Sequence, residues 1–177
     1  MTDWVQTMTE LTHARGGALK RYAFLLCGND ADADDLVQEA LVRAFARPSR
    51  RGADEAEAYI RRILLNRFLD TRRRQRSWLK IRPLLRAEDR ELDPTAALAA
   101  QTDIRTALAG LSPRQRACAV LRYYEDLTIP QIAAALGCTP GTVKRHLSEA
   151  HSRLAGALAD PSAHDSKEGT RWTPTMK

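Results

Sequence analysis

Apolar residues recur along the chain at helical spacing, in segments set apart by capping and turn residues. Leu19, Tyr22, Ala23, Leu25 and Leu26 form one such stripe, and Gly28-Asn29 supplies a stop signal. Asn29 or Asp30 can cap the next helix, whose first turn carries Asp32, Asp34 and Asp35 at the positive end of the helix dipole. Along it Leu36, Val37, Ala40, Leu41, Ala44 and Phe45 make a second stripe. Asp34, Asp35, Gln38, Glu39 and Arg43 are left outside that stripe, either to water or to a polar partner. The segment from Pro48 to Gly52 reads as a loop, with a third helix starting near Asp54 or Glu55. In that helix Ile60, Ile63, Leu64 and Phe68 line one face. Arg61, Arg62, Asn66, Arg72 and Arg73 gather elsewhere, so the helix packs and presents charge at once. Asn66 interrupts the run LLNRF, where its amide can hydrogen-bond a base edge or cap a local polar contact.

The strongest local pattern lies in LSPRQRACAVLRYYEDLTIPQIAAALGCTPGTVKRHLSEAHSRL. Ser112-Pro113 opens a helix with proline at its favoured first position, and Ala117, Val120, Leu121 and Tyr124 make its apolar face. Thr128 caps a short helix, Ile129 to Leu136, which Gly137 ends in a left-handed conformation. Thr139 then caps a helix beginning at Pro140. A short helix, a glycine turn and an amphipathic helix make a helix-turn-helix. Ile132, Ala133, Leu136, Val143 and Leu147 would lock its two helices. Thr142, Lys144, Arg145, His146, Glu149 and His151 would remain for the groove side. Glu149 either accepts from a cytosine amino group or balances Arg153 four residues on, and the second is favoured.

Composition narrows the class. Of 177 residues, 44% are hydrophobic and 28% charged, a folded and helical balance that fits one medium domain or two small ones. No stretch approaches the roughly 18 to 20 apolar residues of a membrane span, and the first residues lack a signal-peptide profile, so a cytoplasmic chain without membrane insertion is expected. Cys27, Cys118 and Cys138 form no metal or disulfide pattern and read as small buried hydrophobes. Phosphate-loop, zinc-protease, nucleophile-elbow and dinucleotide motifs are all missing. Asp32, Asp34 and Asp35 are the only dense carboxylates, and a helix start explains them. No catalytic residue, metal ligand or cofactor is therefore expected.

Charge changes the picture more. The chain carries +6 in all, and between 61 and 82 nine basic residues stand against Asp70 alone. From 83 to 103 the balance turns acidic, and from 104 to 158 it is basic again. Two basic blocks around an acidic connector point to polyanion binding at two places, although a solvated arginine-rich face would give the same block.

The two halves together resemble the extracytoplasmic-function group of bacterial sigma factors of the sigma-70 family, the RNA polymerase subunits that confer promoter specificity. The resembling residues are DADADDLVQEALVRAF, AYIRRILLNRFLDTRRR and the helix-turn-helix segment, over about 15 to 158. The helix-turn-helix alone also looks like the output domains of response regulators. The first half discriminates. The resemblance implies an all-α fold of two small helical domains joined by a linker: sigma region 2 over 1–78, a linker over 79–94, a region 4 helix-turn-helix over 95–158, and a disordered tail over 159–177. It implies docking on core RNA polymerase, through the clamp of its largest subunit and through the flap, with Asp34, Asp35, Gln38 and Glu39 on the clamp. The loop from Pro48 to Ala53, with Asn66, would take a flipped base of the minus 10 element. Arg61, Arg62, Arg67, Arg72, Arg73 and Arg74 would hold phosphates, and Thr142, Lys144, Arg145 and His146 would face the minus 35 element. Promoter DNA and an anti-sigma factor are the other implied partners. Three positions depart from the family: Tyr59 stands where tryptophan is frequent, and His146 and, one turn on, Glu149 stand where arginine is common.

The linker, 16 residues from Leu79 to Pro94, spans roughly 55 Å fully extended and about 20 to 25 Å as a coil. Promoter boxes two turns apart are separated by roughly 70 Å. Polymerase is the scaffold that would hold the halves apart, and the acidic stretch from Glu88 to Asp93 would suit a basic channel. A stand-alone helix-turn-helix regulator, its first half a sensor or dimerisation module, is the alternative, and it predicts tight duplex binding without polymerase. A nucleic-acid enzyme is the least favoured reading, for want of a metal or acid-base cluster.

Overall fold

The computed structural model describes residues 2–47, 52–81 and 106–159, and among these every regular element is a helix. The loop expected from Pro48 to Ala53 lies largely outside the described residues, as do the acidic part of the linker and the tail beyond 159.

Three helices build the first unit: α1 (Thr2–Cys27), α2 (Asp30–Phe45) and α3 (Ala53–Ile81). The break between α1 and α2 falls where glycine and asparagine put it. Gly28 has φ +86°, and the Asn29 side chain caps α2 by accepting from the Asp32 amide at 2.8 Å. Leu36, Ala40 and Ala44 of α2 are buried against Leu19, Tyr22 and Leu26 of α1 and Ile60, Leu64 and Phe68 of α3. Two expectations need correction, on Phe45 and on the end of α3, and the start of α1 adds to the reading. Helix α1 begins at Thr2, and Trp4, Met8 and Leu11 are as deeply buried as the stripe further on. Phe45 sits at the edge of the core, half-exposed. Helix α3 runs past residue 78 to Ile81, into the expected linker.

The second unit follows a helical turn at 106–109 and consists of α4 (Pro113–Tyr123), α5 (Ile129–Leu136) and α6 (Pro140–Ala159). Its ends are built as the sequence suggests. Ser112 and Gln115 form a reciprocal capping box, the Thr128 amide donates to Gln131 Oε1 at 2.8 Å, and Thr139 Oγ1 accepts from the Thr142 amide at 3.2 Å. Gly137, at φ +60°, closes α5. Ile132, Ala133, Leu136, Val143 and Leu147 are all buried between α5, α6 and α4. Cys27 and Cys118 are buried and Cys138 partly so, and burial pushes the first two thiols up to about 11, which keeps them protonated and inert.

The two units are packed against each other. Helix α4 contacts both α1 and α3, and Ala117, Cys118, Val120 and Leu121 belong to the same apolar cluster as Leu19, Tyr22 and Leu26. Arg116, only 8% exposed, lies in this seam and donates from Nη1 to the carbonyl of Leu26 at 3.1 Å. That carbonyl belongs to the last turn of α1, whose partial negative charge suits a cation. Gly28 lets it in: a Cβ there would stand 3.1 Å from Arg116 Nη1.

Trp4 ties the start of α1 to the end of α2, burying its ring and donating Nε1–H to the carbonyl of Ala44 at 3.2 Å. Trp4→Ala is expected to cost about 3 to 5 kcal/mol, the range for removing a buried aromatic. Urea denaturation followed by helical circular dichroism measures this directly. A loss below about 1 kcal/mol would mean that the first turns of α1 are not part of the core.

Candidate nucleic-acid and partner interfaces

Helix α2 keeps one face free of the core. Asp34, Asp35 and Gln38 are exposed and Glu39 is half-buried. They are not equivalent, because neighbours have claimed two of them. Asp34 pairs with Lys20 of α1 at 2.8 Å, a bond that raises the lysine pKa. Glu39 pairs with Arg43 and, across to α3, with Arg67. Asp35 and Gln38 remain open, and Val42 and Phe45 continue the same line at spacings of three and four residues. Val42 is 69% exposed, an apolar side chain that the helix does not use for its own folding. The sequence stripe put Phe45 inside and passed over Val42.

Asn66 is exposed on α3 and lines a cleft of about 230 Å³ with Arg43, Ala46, Arg47, Tyr59, Ile63, Arg67 and Asp70. An aromatic ring, an amide and three guanidinium groups around one opening suit a flat base flanked by phosphates. Arg43 and Arg47 were not expected there. Their position at the end of α2, before the loop that precedes α3, is the signal that could have found them. A second cleft, about 300 Å³, follows along α3 and is lined by Arg72, Arg73, Arg76 and, from the other unit, Arg114.

The arginines expected on phosphates divide into two sets. Arg62, Arg73 and Arg74 are exposed, with Arg73 only 3.7 Å from Asp70 of its own helix. The others have partners on neighbouring helices. Arg67 meets Glu39, and Arg72 lies 3.6 Å from Asp32 and over the ring of Phe68. Arg61 is turned into the seam, where it meets Glu57 and, in the second unit, Glu125.

In α6, Lys144 and Arg145 are exposed one turn past the cap, and Thr142 is half-buried with its hydroxyl 2.9 Å from that of Thr139. His146 behaves differently: its side chain is 14% exposed, with Nδ1 3.9 Å from Glu149. Glu149 does not balance Arg153. It accepts from Gln115 Nε2 at 2.6 Å and lies 3.8 Å from Arg145, whereas Arg153 donates to the carbonyl of Gly110 at 2.8 Å. His151 is bonded to the hydroxyl of Tyr123 on α4. Among the described residues no group of His, Cys, Asp and Glu is arranged to hold a metal, and no helix is long and apolar enough to cross a membrane.

Two family models match, in the order and places that these units occupy: sigma-70 region 2 over residues 11–77 and sigma-70 region 4 over residues 101–154. The RNA polymerase sigma-E factor of Streptomyces avermitilis is 35% identical over 159 residues, covering 84% of this chain and 83% of its own. The ECF RNA polymerase sigma factor SigL of Mycobacterium tuberculosis is 34% identical over 162 residues, covering 86% and 89%. Among solved structures, the sigma factor RpoE of Bartonella quintana, crystallised with the anti-sigma factor NepR, superimposes with a TM-score of 0.61 at 26% identity, over 90% of this chain and 99% of that one. With both regions in order and relatives alike over most of their length, the chain belongs to the extracytoplasmic-function group of the sigma-70 family of RNA polymerase sigma factors.

Proposed function

We propose that the two units divide the work of promoter recognition, the first (region 2, 1–78) docking on the polymerase clamp and reading the minus 10 element, the second (region 4, 95–158) reading the minus 35 element. The open face of α2 carries this reading. Asp35, Gln38, Val42 and Phe45 combine an acidic group, an amide and two apolar side chains on one exposed line, a mixture suited to a protein partner and of no use to the unit's own core. Asp34 and Glu39 flank it, each already paired within the unit.

On α3 the cleft at Asn66 takes the flipped minus 10 base, with Tyr59 as the stacking surface and Arg62, Arg73 and Arg74 on the phosphates. Lys144 and Arg145 enter the major groove at the minus 35 element, while Thr142, His146 and Glu149 set the position of the helix more than they read bases. The factor supplies no catalysis; polymerase does the chemistry. An anti-sigma factor, such as the one bound to the Bartonella relative, is the expected regulator, and the cytoplasm is the place of action. The stand-alone regulator reading leaves the α2 face without a role.

Asp35→Lys with Val42→Asp should weaken binding to core polymerase at least tenfold, because a new charge meets the docking surface at two points of the exposed line. Helicity should not change. Fluorescence titration of labelled factor with core enzyme checks this, and wild-type affinity would remove α2 from the docking surface.

Asn66→Ala should cost about 1 to 3 kcal/mol in discrimination at one minus 10 position, the usual worth of a base-edge contact, with polymerase affinity unchanged. Abortive initiation on a set of minus 10 point variants reads both. If discrimination survives and only melting temperature falls, Asn66 serves the fold.

Lys144→Ala should reduce affinity alike on all minus 35 sequences and lower the salt slope by about one, while Arg145→Ala should change which sequence is preferred. Selection from a randomised minus 35 pool with the reconstituted holoenzyme separates the two. Unchanged preferences in both variants would mean that neither side chain reads a base.

A further inference from the structure

We propose that Glu125 is an internal competitor for Arg61: it occupies, from the second unit, a guanidinium that promoter phosphate would otherwise engage, and so holds the chain in a closed form that must open before the two promoter boxes can be reached together. The proposal rests on the sigma-factor reading above and adds to it a means of restraint built into the chain.

The contact is made by a turn with little freedom. After α4 the chain reverses through Asp126 at φ +52°, a left-handed conformation uncommon for a residue with a side chain. The turn is fastened by the amides of Glu125 and Leu127, which donate to the carbonyls of Val120 and Leu121 at 3.3 and 3.0 Å, and by Arg122 Nη1, which donates to the Leu127 carbonyl at 2.9 Å. Tyr124 and Glu125 are thereby directed at the first unit. The Tyr124 hydroxyl donates to the carbonyl of Ala18 at 3.4 Å, and its ring lies 6.1 Å from that of Tyr22. Beside both rings lies the guanidinium of Arg61, 5.7 Å from the Tyr22 centroid and 5.9 Å from the Tyr124 centroid. Its nitrogens meet Glu57 on its own helix, at 2.5 Å, and Glu125 from across the seam. Arg15 of α1 lies 3.5 Å from Glu57 and completes the cluster.

The Arg61 and Glu125 side chains are 21% and 16% exposed. A pair so shielded is weakly screened by salt, and removing one partner leaves the other partly buried without it. A carboxylate that accepts from a guanidinium presents the same charge and acceptor geometry as a phosphate oxygen. Arg61 cannot serve both at once. Closure also limits reach, since a compact body of this size is about 40 Å across and the promoter boxes are roughly 70 Å apart. Polymerase and promoter therefore favour the open form, and each must overcome whatever population the clasp assigns to the closed one.

The test uses the full chain in three forms, Glu125→Asp, Glu125→Gln and Glu125→Lys. Small-angle scattering reads compaction, and fluorescence titration with core polymerase reads affinity. Asp should behave as wild type, Gln should raise the radius of gyration and tighten polymerase binding about fivefold, and Lys should do both to a greater extent. Tyr124→Ala, which removes a ring beside Arg61 and the bond to Ala18 without altering charge, should move both readings in the direction of Gln. Glu125→Gln and Glu125→Lys chains as compact as wild type would overturn the proposal. So would expansion with unchanged polymerase affinity. Failure of the underlying reading would look different, because wild type itself would then not bind polymerase whatever the scattering showed.

Discussion

The apolar surface of α1 is wider than a three-helix unit can cover, and the arrangement of the second unit follows from that. Trp4, Met8 and Leu11 commit the first turns to α2, while Leu19, Tyr22 and Leu26 share a cluster with α2, α3 and α4. Leu25 packs against that cluster and also against Leu108, Leu111, Ala119 and Ala150 of the second unit. Water on this surface would cost the chain the burial of several large side chains, each worth about 1.5 to 3 kcal/mol. Helix α4 covers it at the expense of burying a charge, Arg116. That charge is tolerable because the end of α1 leaves a carbonyl without a helical partner, and because Gly28 leaves room for the guanidinium. Burial, reinforced by the nearby charge of Arg72, lowers the pKa of Arg116, so the seam holds the cation under some strain.

The same geometry orders the arginines. A basic block on a sequence implies one surface, but in the folded chain its members fall along a gradient from the seam to open solvent. Arg61 is held by two carboxylates and two rings, Arg67 by Glu39 of α2, Arg72 by Asp32 and the ring of Phe68. Arg62 and Arg74 stand exposed. The pairing of Glu39 with Arg67 joins a residue of the α2 face to one that lines the Asn66 cleft. A partner that drew Glu39 away would change the charge in that cleft, so on the proposed reading docking and base capture share an ion pair.

Much of the fold was legible in the sequence because its punctuation is local. Asn29, Ser112, Thr128, Gly137 and Thr139 act on neighbours within four residues, and each does what its chemistry suggests. The start of α1 was not legible, because Gly16-Gly17 and a polar run argue against a helix that tertiary burial of Trp4, Met8 and Leu11 then enforces. Parts of the site were misread for the same reason. Glu149 and His151 have exposed positions on a helical wheel, yet Gln115 and Tyr123 of α4 claim them. Nothing local marks the pairs Arg61 with Glu125 or Arg116 with Leu26, which are 64 and 90 residues apart in the chain.

On the proposed reading the halves must be ordered when alone and separable when bound, two requirements that oppose each other. The seam meets both through its composition. Its contribution from α4 mixes the small side chains Ala117 and Cys118 with Val120 and Leu121, so parting the units gives up less apolar burial than an all-leucine seam would, while still uncovering Leu19, Tyr22 and Leu26 of α1. Its polar contacts are ones for which water or phosphate can substitute, since Leu26 and Ala18 offer carbonyls and Arg61 and Arg116 offer guanidinium groups. A seam of large interlocking aliphatic side chains would fuse the halves into one domain, and an all-polar seam would leave them unassociated. On the proposed reading, a seam of this mixed composition associates the halves while leaving part of what opening gives up to be restored by a partner and a promoter.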